Sequence, residues 1–151
     1  MTYWIVVGSV ENFEIARERG FDLFGFKSTR RRETGEMKPG DKLIFYLTGV
    51  MKFGGIVDIA SEVYEDHSPV FRTEKKPGED YPFRVHTEPD RPLDQGRWLD
   101  VKEYATRLEL TRRRGEHWRL AFQGNLHKIS EEDYETISKD VDAALKLAPA
   151  R

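Results

Sequence analysis

The chain has 151 residues, 38% hydrophobic and 34% charged, with a formal net charge of −2. At that length a chain buries about 70% of its unfolded surface, enough for a domain without metal or disulfide staples. It contains no cysteine, which excludes disulfides, thiolate zinc sites and a cysteine nucleophile. The opening, Met1-Thr2-Tyr3-Trp4, has no basic stretch and reaches an acid at Glu11, so no signal peptide is expected. The longest apolar run covers residues 43–51, far short of the about 20 residues a bilayer span needs. One cytoplasmic domain over residues 1–151 is expected.

In chain order, residues 3–7 are aromatic and β-branched and predict a strand ended by Gly8. Ser9 is placed to cap a helix over residues 11–19, stopped by Gly20. Residues 21–26 fit a strand or a structured loop, and the polar, Arg-rich residues 28–36 predict an exposed loop. Pro39-Gly40 marks a type II turn. Residues 42–48 then run apolar without alternation, as a strand buried on both faces does. Residues 53–60 make the second arm of a hairpin, with Gly54-Gly55 at a bulge or a close backbone approach.

Residues 62–72 read as extended and residues 75–80 as a charged turn. Residues 82–87 predict a strand with Phe83 and Val85 inward and Arg84 and His86 outward, followed by a loop over residues 89–96. Asp100 with Glu103 suggests a capping box for a helix over residues 101–108. Residues 118–122 fit a short strand or a segment packed on the core. Ser130 with Asp133, flanked by Ile129 and Tyr134, predicts the start of a last helix reaching about Leu147. Short strands and helices without regular βαβ alternation favour an α+β fold with a curved or barrel-like sheet.

Catalytic signatures are sparse. No phosphate loop, dinucleotide fingerprint, zinc-protease motif or serine elbow occurs. The four histidines, His67, His86, His117 and His127, have no i, i+3 or i+4 pairing, so no metal or cofactor is expected. Charge is uneven. Residues 27–52 hold seven basic and three acidic side chains, a net of +4, and so do residues 101–128. Residues 61–100 hold six against ten and residues 129–146 two against six, each a net of −4. The two basic blocks form one basic face if the fold joins them.

Aromatic residues gather near the first hairpin. Phe24 and Phe26 straddle Gly25 and lead into the Arg-rich segment. Alternate residues of a strand face opposite sides, so one of the two is expected to line a cleft. Rings beside basic loops bind bases, by stacking worth about 1–3 kcal/mol per base while Lys and Arg hold phosphates. Ser9 and Asn12 can hydrogen-bond a base edge or cap the first helix. The candidate base pocket comprises Ser9, Asn12, Phe24, Phe26, Tyr46, Thr48 and Phe71. The candidate phosphate contacts are Lys27, Arg30, Arg31, Arg32 and Lys52.

Several of these stretches resemble a known family. Tyr3-Trp4-Ile5-Val6-Val7-Gly8-Ser9-Val10-Glu11-Asn12, Met37-Lys38-Pro39-Gly40-Asp41-Lys42-Leu43-Ile44-Phe45-Tyr46 and Phe53-Gly54-Gly55-Ile56-Val57 resemble the EVE domain in order and spacing, as do residues 61–66 and 118–129. The resemblance implies a PUA-like β-barrel of about five to six strands with flanking helices, related to the YTH readers of N6-methyladenine. It implies a non-catalytic module that holds one base of RNA or DNA, often modified, in an aromatic pocket. Ser9 and Asn12 match the polar pair after the first strand of YTH domains, and Phe24 or Phe26 matches one cage wall. Tyr46 and Thr48 match the neighbouring hairpin strand, and Phe71 the second wall. A methyl group on the base adds about 1 kcal/mol by burial, so discrimination rests on a tight, dry pocket. The competing expectations are a PUA-like hydrolase of a modified nucleoside, with Lys27 and Glu11 as its acid–base pair, and a domain binding a small molecule or a protein.

Overall fold

The structure, a computed structural model, describes residues 1–147. A six-strand path runs β2-β6-β4-β3-β1-β8, with two short strands attached to its flanks. Strand β1 (Tyr3–Gly8) lies parallel to β3 (Lys42–Leu47), Trp4 opposite Leu43 and Val7 opposite Tyr46. Its other edge pairs antiparallel with β8 (Leu126–Ile129). β3 turns back into β4 (Lys52–Ile59), and β4 pairs with β6 (Phe83–Pro92). β2 (Leu23–Phe26) completes the path on β6. The two short strands are β5 (Tyr64–Glu65) on β6 and β7 (Leu99–Asp100) on β4. The sheet is a curved, open half-barrel flanked by helices, an α+β fold.

Two bulges bend it. Phe45 faces Gly55 and Tyr46 faces Phe53, so Gly54 is the extra residue. A bulge bends the strand that carries it. A methyl at Gly55 would lie 2.5 Å from the Arg91 carbonyl oxygen, at φ +116, so both expectations for the glycine pair hold. Ile56 pairs with Arg91 but Val57 with Pro89, leaving Asp90 as the second extra residue. Prolines are tolerated in strands at bulges, which is why β6 runs on to Pro92 where the sequence suggests a loop.

Each face buries one apolar cluster. Trp4, Val6, Leu43, Phe45 and Val57 point to the first, with Phe13 and Ala16 of α1 (Val10–Glu18). Ile5, Ile44, Tyr46, Phe53 and Ile56 point to the second. There α4 (Glu131–Leu145) buries Tyr134, Ile137, Val141 and Ala144, spaced to fall on one helical stripe. Ser9 caps α1 through its Oγ, 3.0 Å from the Asn12 amide nitrogen. Ser130 caps α4, but the Asp133 carboxylate does not complete a capping box. It accepts from the amides of Glu109 (2.8 Å) and Leu110 (3.1 Å), at the start of α3 (Glu109–Arg112).

Three expectations are corrected. Residues 28–36 form a 3-10 turn (Ser28–Arg30) and the short α2 (Arg31–Thr34), closed by the Thr34 hydroxyl donating to the Arg30 carbonyl at 2.8 Å. The helix expected over residues 101–108 is a 3-10 turn, Val101–Tyr104. Arg84, expected to point outward, is fully buried because residues 66–82 fold across it. Among the described residues no helix is long and apolar enough to cross a membrane.

Candidate nucleic-acid interface

The candidate site is built where β1 hands over to α1, beside β2. Phe24, Phe26 and Phe71 meet there, with ring centroids of Phe24 5.7 Å from Phe26 and 5.0 Å from Phe45 and Phe71. All three are buried, Phe24 to 4%, Phe26 to 2% and Phe71 to 2% of their full exposure. The expectation that one of Phe24 and Phe26 lines an open cleft is therefore corrected. Both belong to the cluster on the first face of the sheet, because residues 66–82 form a strap across β2 and supply the cover that a lone strand lacks.

The strap lies close on the backbone of β2. A methyl at Gly25 would sit 2.7 Å from the Tyr81 carbonyl oxygen and 2.9 Å from the Phe71 ring. The buried Arg84 guanidinium fastens it from below, donating to the carbonyls of Ser68, Asp80 and Tyr81 and to the Ser68 hydroxyl. Glu79 accepts from the Ser28 amide and hydroxyl and from the Tyr81 amide. Asn12, buried in α1, accepts from the Arg72 amide at 3.0 Å, and Glu11 forms an ion pair with Arg72. At the outer edge His67 bridges Asp80 (2.7 Å) and Glu65 (2.8 Å). Those two carboxylates raise the His67 pKa, with Glu65 the larger cause. Burial raises the Tyr81 hydroxyl's pKa, against hydrogen bonds with Thr73 and Asn12.

The remaining candidates are dispersed. Ser9 is half-buried at the cap. Thr48 is exposed just past β3, its amide donating to the Gly8 carbonyl. Tyr46 points to the opposite face, its ring 4.7 Å from Phe122, since it follows Phe45 by one position on a strand. Lys52 is half-buried at the start of β4, opposite Leu47 and Asp100.

The fold does bring the two basic blocks together. Arg30 Nε donates to Asn125 Oδ1 at 2.8 Å, and Lys128 pairs with Glu36 at 2.6 Å. Arg30 also holds Glu33 at 2.9 Å and lowers the Glu33 pKa. His127 lies between the blocks: burial lowers its pKa, and the Arg30 and Arg114 charges act in the same direction. Its Nε2 is buried without a hydrogen-bond partner among the described residues. Arg31, Arg32, Arg113, Arg114 and Arg119 are exposed, and Lys27 is half-buried. Sequence reasoning missed the strap and the tie through Asn125. The polar Asn125, at φ +59 between Gly124 and β8, was the available signal.

Among the described residues no three His, Asp or Glu side chains are grouped to hold a metal ion. Of the two residues a hydrolase would use, Glu11 is engaged by Arg72 and Lys27 follows β2 as the cap of the 3-10 turn.

This half-barrel fold is shared with solved structures. The protein Atu2648 from Agrobacterium tumefaciens superposes with a TM-score of 0.62 at 17% identity, covering all of both chains. The Mmi1 YTH domain, solved in complex with RNA, superposes with a TM-score of 0.62 at 11% identity, covering 99% of this chain and 84% of that one. The class is thus a YTH-like α+β half-barrel. The chain belongs to the EVE domain family, whose profile matches residues 2–140. UPF0310 protein PH1033 of Pyrococcus horikoshii is 29% identical over 149 residues, spanning 92% of this chain and 98% of that protein.

Proposed function

We infer that this EVE domain is a non-catalytic nucleic-acid-binding module that engages one base of RNA or DNA at the Phe24–Phe71 pair. The observation that carries this is the origin of those two rings. Phe24 is fixed in the sheet, whereas Phe71 rides on a strap fastened by polar contacts, beside the joined basic blocks. A flat base between two rings needs about 7 Å, twice a contact distance of about 3.5 Å. The centroids are 5.0 Å apart and the ring planes are tilted by 53°, so the strap has to withdraw and the Phe71 ring to turn before a base is admitted. The Asn12 carboxamide oxygen, now accepting from the Arg72 amide, would accept from a base N–H once the strap withdraws. Support also comes from the fold shared with the Mmi1 YTH domain, which was solved with RNA. A methylated base gains about 1 kcal/mol from the enclosed site.

The test is binding of single-stranded RNA and DNA oligonucleotides, plain or base-methylated, at low salt. Phe24→Leu retains an apolar filler for the fold and removes the stacking face. It is expected to weaken binding about 10-fold, in keeping with about 1–3 kcal/mol per stacked base, with an unchanged circular dichroism spectrum. Equal binding by the wild type and this variant, or no binding by the wild type, overturns the inference.

A further inference from the structure

Beside β5 and the start of β6 a second hollow of about 260 Å³ is lined by Arg31, Gly35, Val63, Tyr64, Glu65 and Phe83. It shares no residue with the Phe24–Phe71 pair. Its size is below the ~300–1,000 Å³ of pockets for drug-sized ligands, which suits one flat ring system. The Arg31 guanidinium stands 6.0 Å over the Phe83 ring, and the Tyr64 ring is braced by His86 at 4.9 Å. A guanidinium, two rings and a valine side chain make a stacking platform for a base.

The charges in the hollow are opposed. Arg31 and its neighbour Arg32 have no carboxylate partner within ion-pair distance among the described residues. Glu65, cross-strand from Phe83, has one oxygen on His67 at 2.8 Å. A carboxylate only accepts hydrogen bonds. It repels phosphate and receives base edges that carry N–H groups, as Asp and Glu do toward the cytosine amino group. Guanine presents two such donors, N1–H and the 2-amino group, side by side.

We propose that this hollow is a second nucleotide site, holding an amino-bearing base, guanine foremost, against Phe83 with its edge on Glu65 and its phosphate on Arg31 and Arg32. It deepens the nucleic-acid reading by adding a position that selects by base edge, apart from the enclosed pair. Because Arg31 is exposed and Glu65 sits at a strand edge, both can be changed without touching the core.

The test is calorimetric titration of the full chain with GMP and UMP. Wild type is expected to bind GMP at least 10-fold more tightly than UMP. Glu65→Gln should bring the two within about 3-fold, and Arg31→Ala should weaken both by about 10-fold. The same titrations in the Phe24→Leu background, which removes the stacking face of the enclosed pair, should keep the GMP preference if it belongs to this hollow. Equal affinity for GMP and UMP in the wild type, or GMP binding indifferent to Arg31→Ala, overturns the proposal. If oligonucleotides bind and GMP does not, only this hollow fails. If neither binds, the broader inference fails with it.

Discussion

At the scale of single residues the most consequential side chain is Arg84. Its guanidinium is fully buried and serves the carbonyls of Ser68, Asp80 and Tyr81 at once, with Asp66 at 3.4 Å. Removing one partner from a buried charged network costs about 3–5 kcal/mol, because the others stay behind unpaired. Arg84→Met is therefore expected to lower the free energy of unfolding by about 3–5 kcal/mol, with a lower denaturation midpoint, and to speed tryptic cleavage at Lys75-Lys76 on the strap. An unchanged midpoint would show that the strap is not fastened here. Arg84 was illegible in the sequence because alternation assigns a face and cannot say that a distant loop will cover it. Phe24 and Phe26 were misjudged for the same reason: both faces of β2 are closed, one of them by residues far along the chain.

At the scale of elements the strap also carries a proton-linked clasp. His67 sits between Glu65 and Asp80, which raise its pKa above the ordinary value of 6.5. A histidine whose folded pKa is raised stabilises the fold fully below its unfolded value. That contribution is lost as pH rises through the raised value. Hydrogen exchange in residues 66–82 is thus expected to quicken as pH climbs through that window, beyond the intrinsic rate change. His67→Gln should remove the excess, and an identical profile in the two proteins would refute the clasp. Other elements were plain in the sequence. Ser9 and Ser130 cap their helices, and Lys42–Leu47 is a strand buried on both faces. Strand β8 was not legible, since Leu126-His127-Lys128-Ile129 is short and pairs only because β1 has a free edge.

For the whole molecule, charge is uneven along the chain despite a net of only −2. The segment carrying Arg30 to Arg32 meets the end of the second basic block through Arg30–Asn125 and Glu36–Lys128. The acidic first turn of α4, Glu131 to Asp133, reaches the second block directly, with Glu132 3.8 Å from the Arg112 guanidinium. Single-strand binding that neutralises Z phosphates falls with salt at a logarithmic slope of about −0.7Z. Arg31→Ala and Arg32→Ala are each expected to flatten that slope by about 0.7 and to weaken unmodified and methylated oligonucleotides alike. A slope unmoved by both would place the phosphates elsewhere. Composition exposed the two basic blocks. Their meeting depended on the β1–β8 pairing, which local patterns do not encode.

That pairing has a consequence for biosynthesis. The first strand made, β1, takes its hydrogen bonds from residues 42–47 on one side and from residues 126–129 on the other. At about 5–20 residues per second, the ribosome leaves one edge of β1 bare for roughly 6–25 seconds after it appears. Nascent chains arrested before Leu126 are expected to be digested by protease, and chains arrested with residue 147 clear of the exit tunnel to resist it. Folding of this domain then waits for residues 126–129, and the β1 segment waits longest for a neighbour.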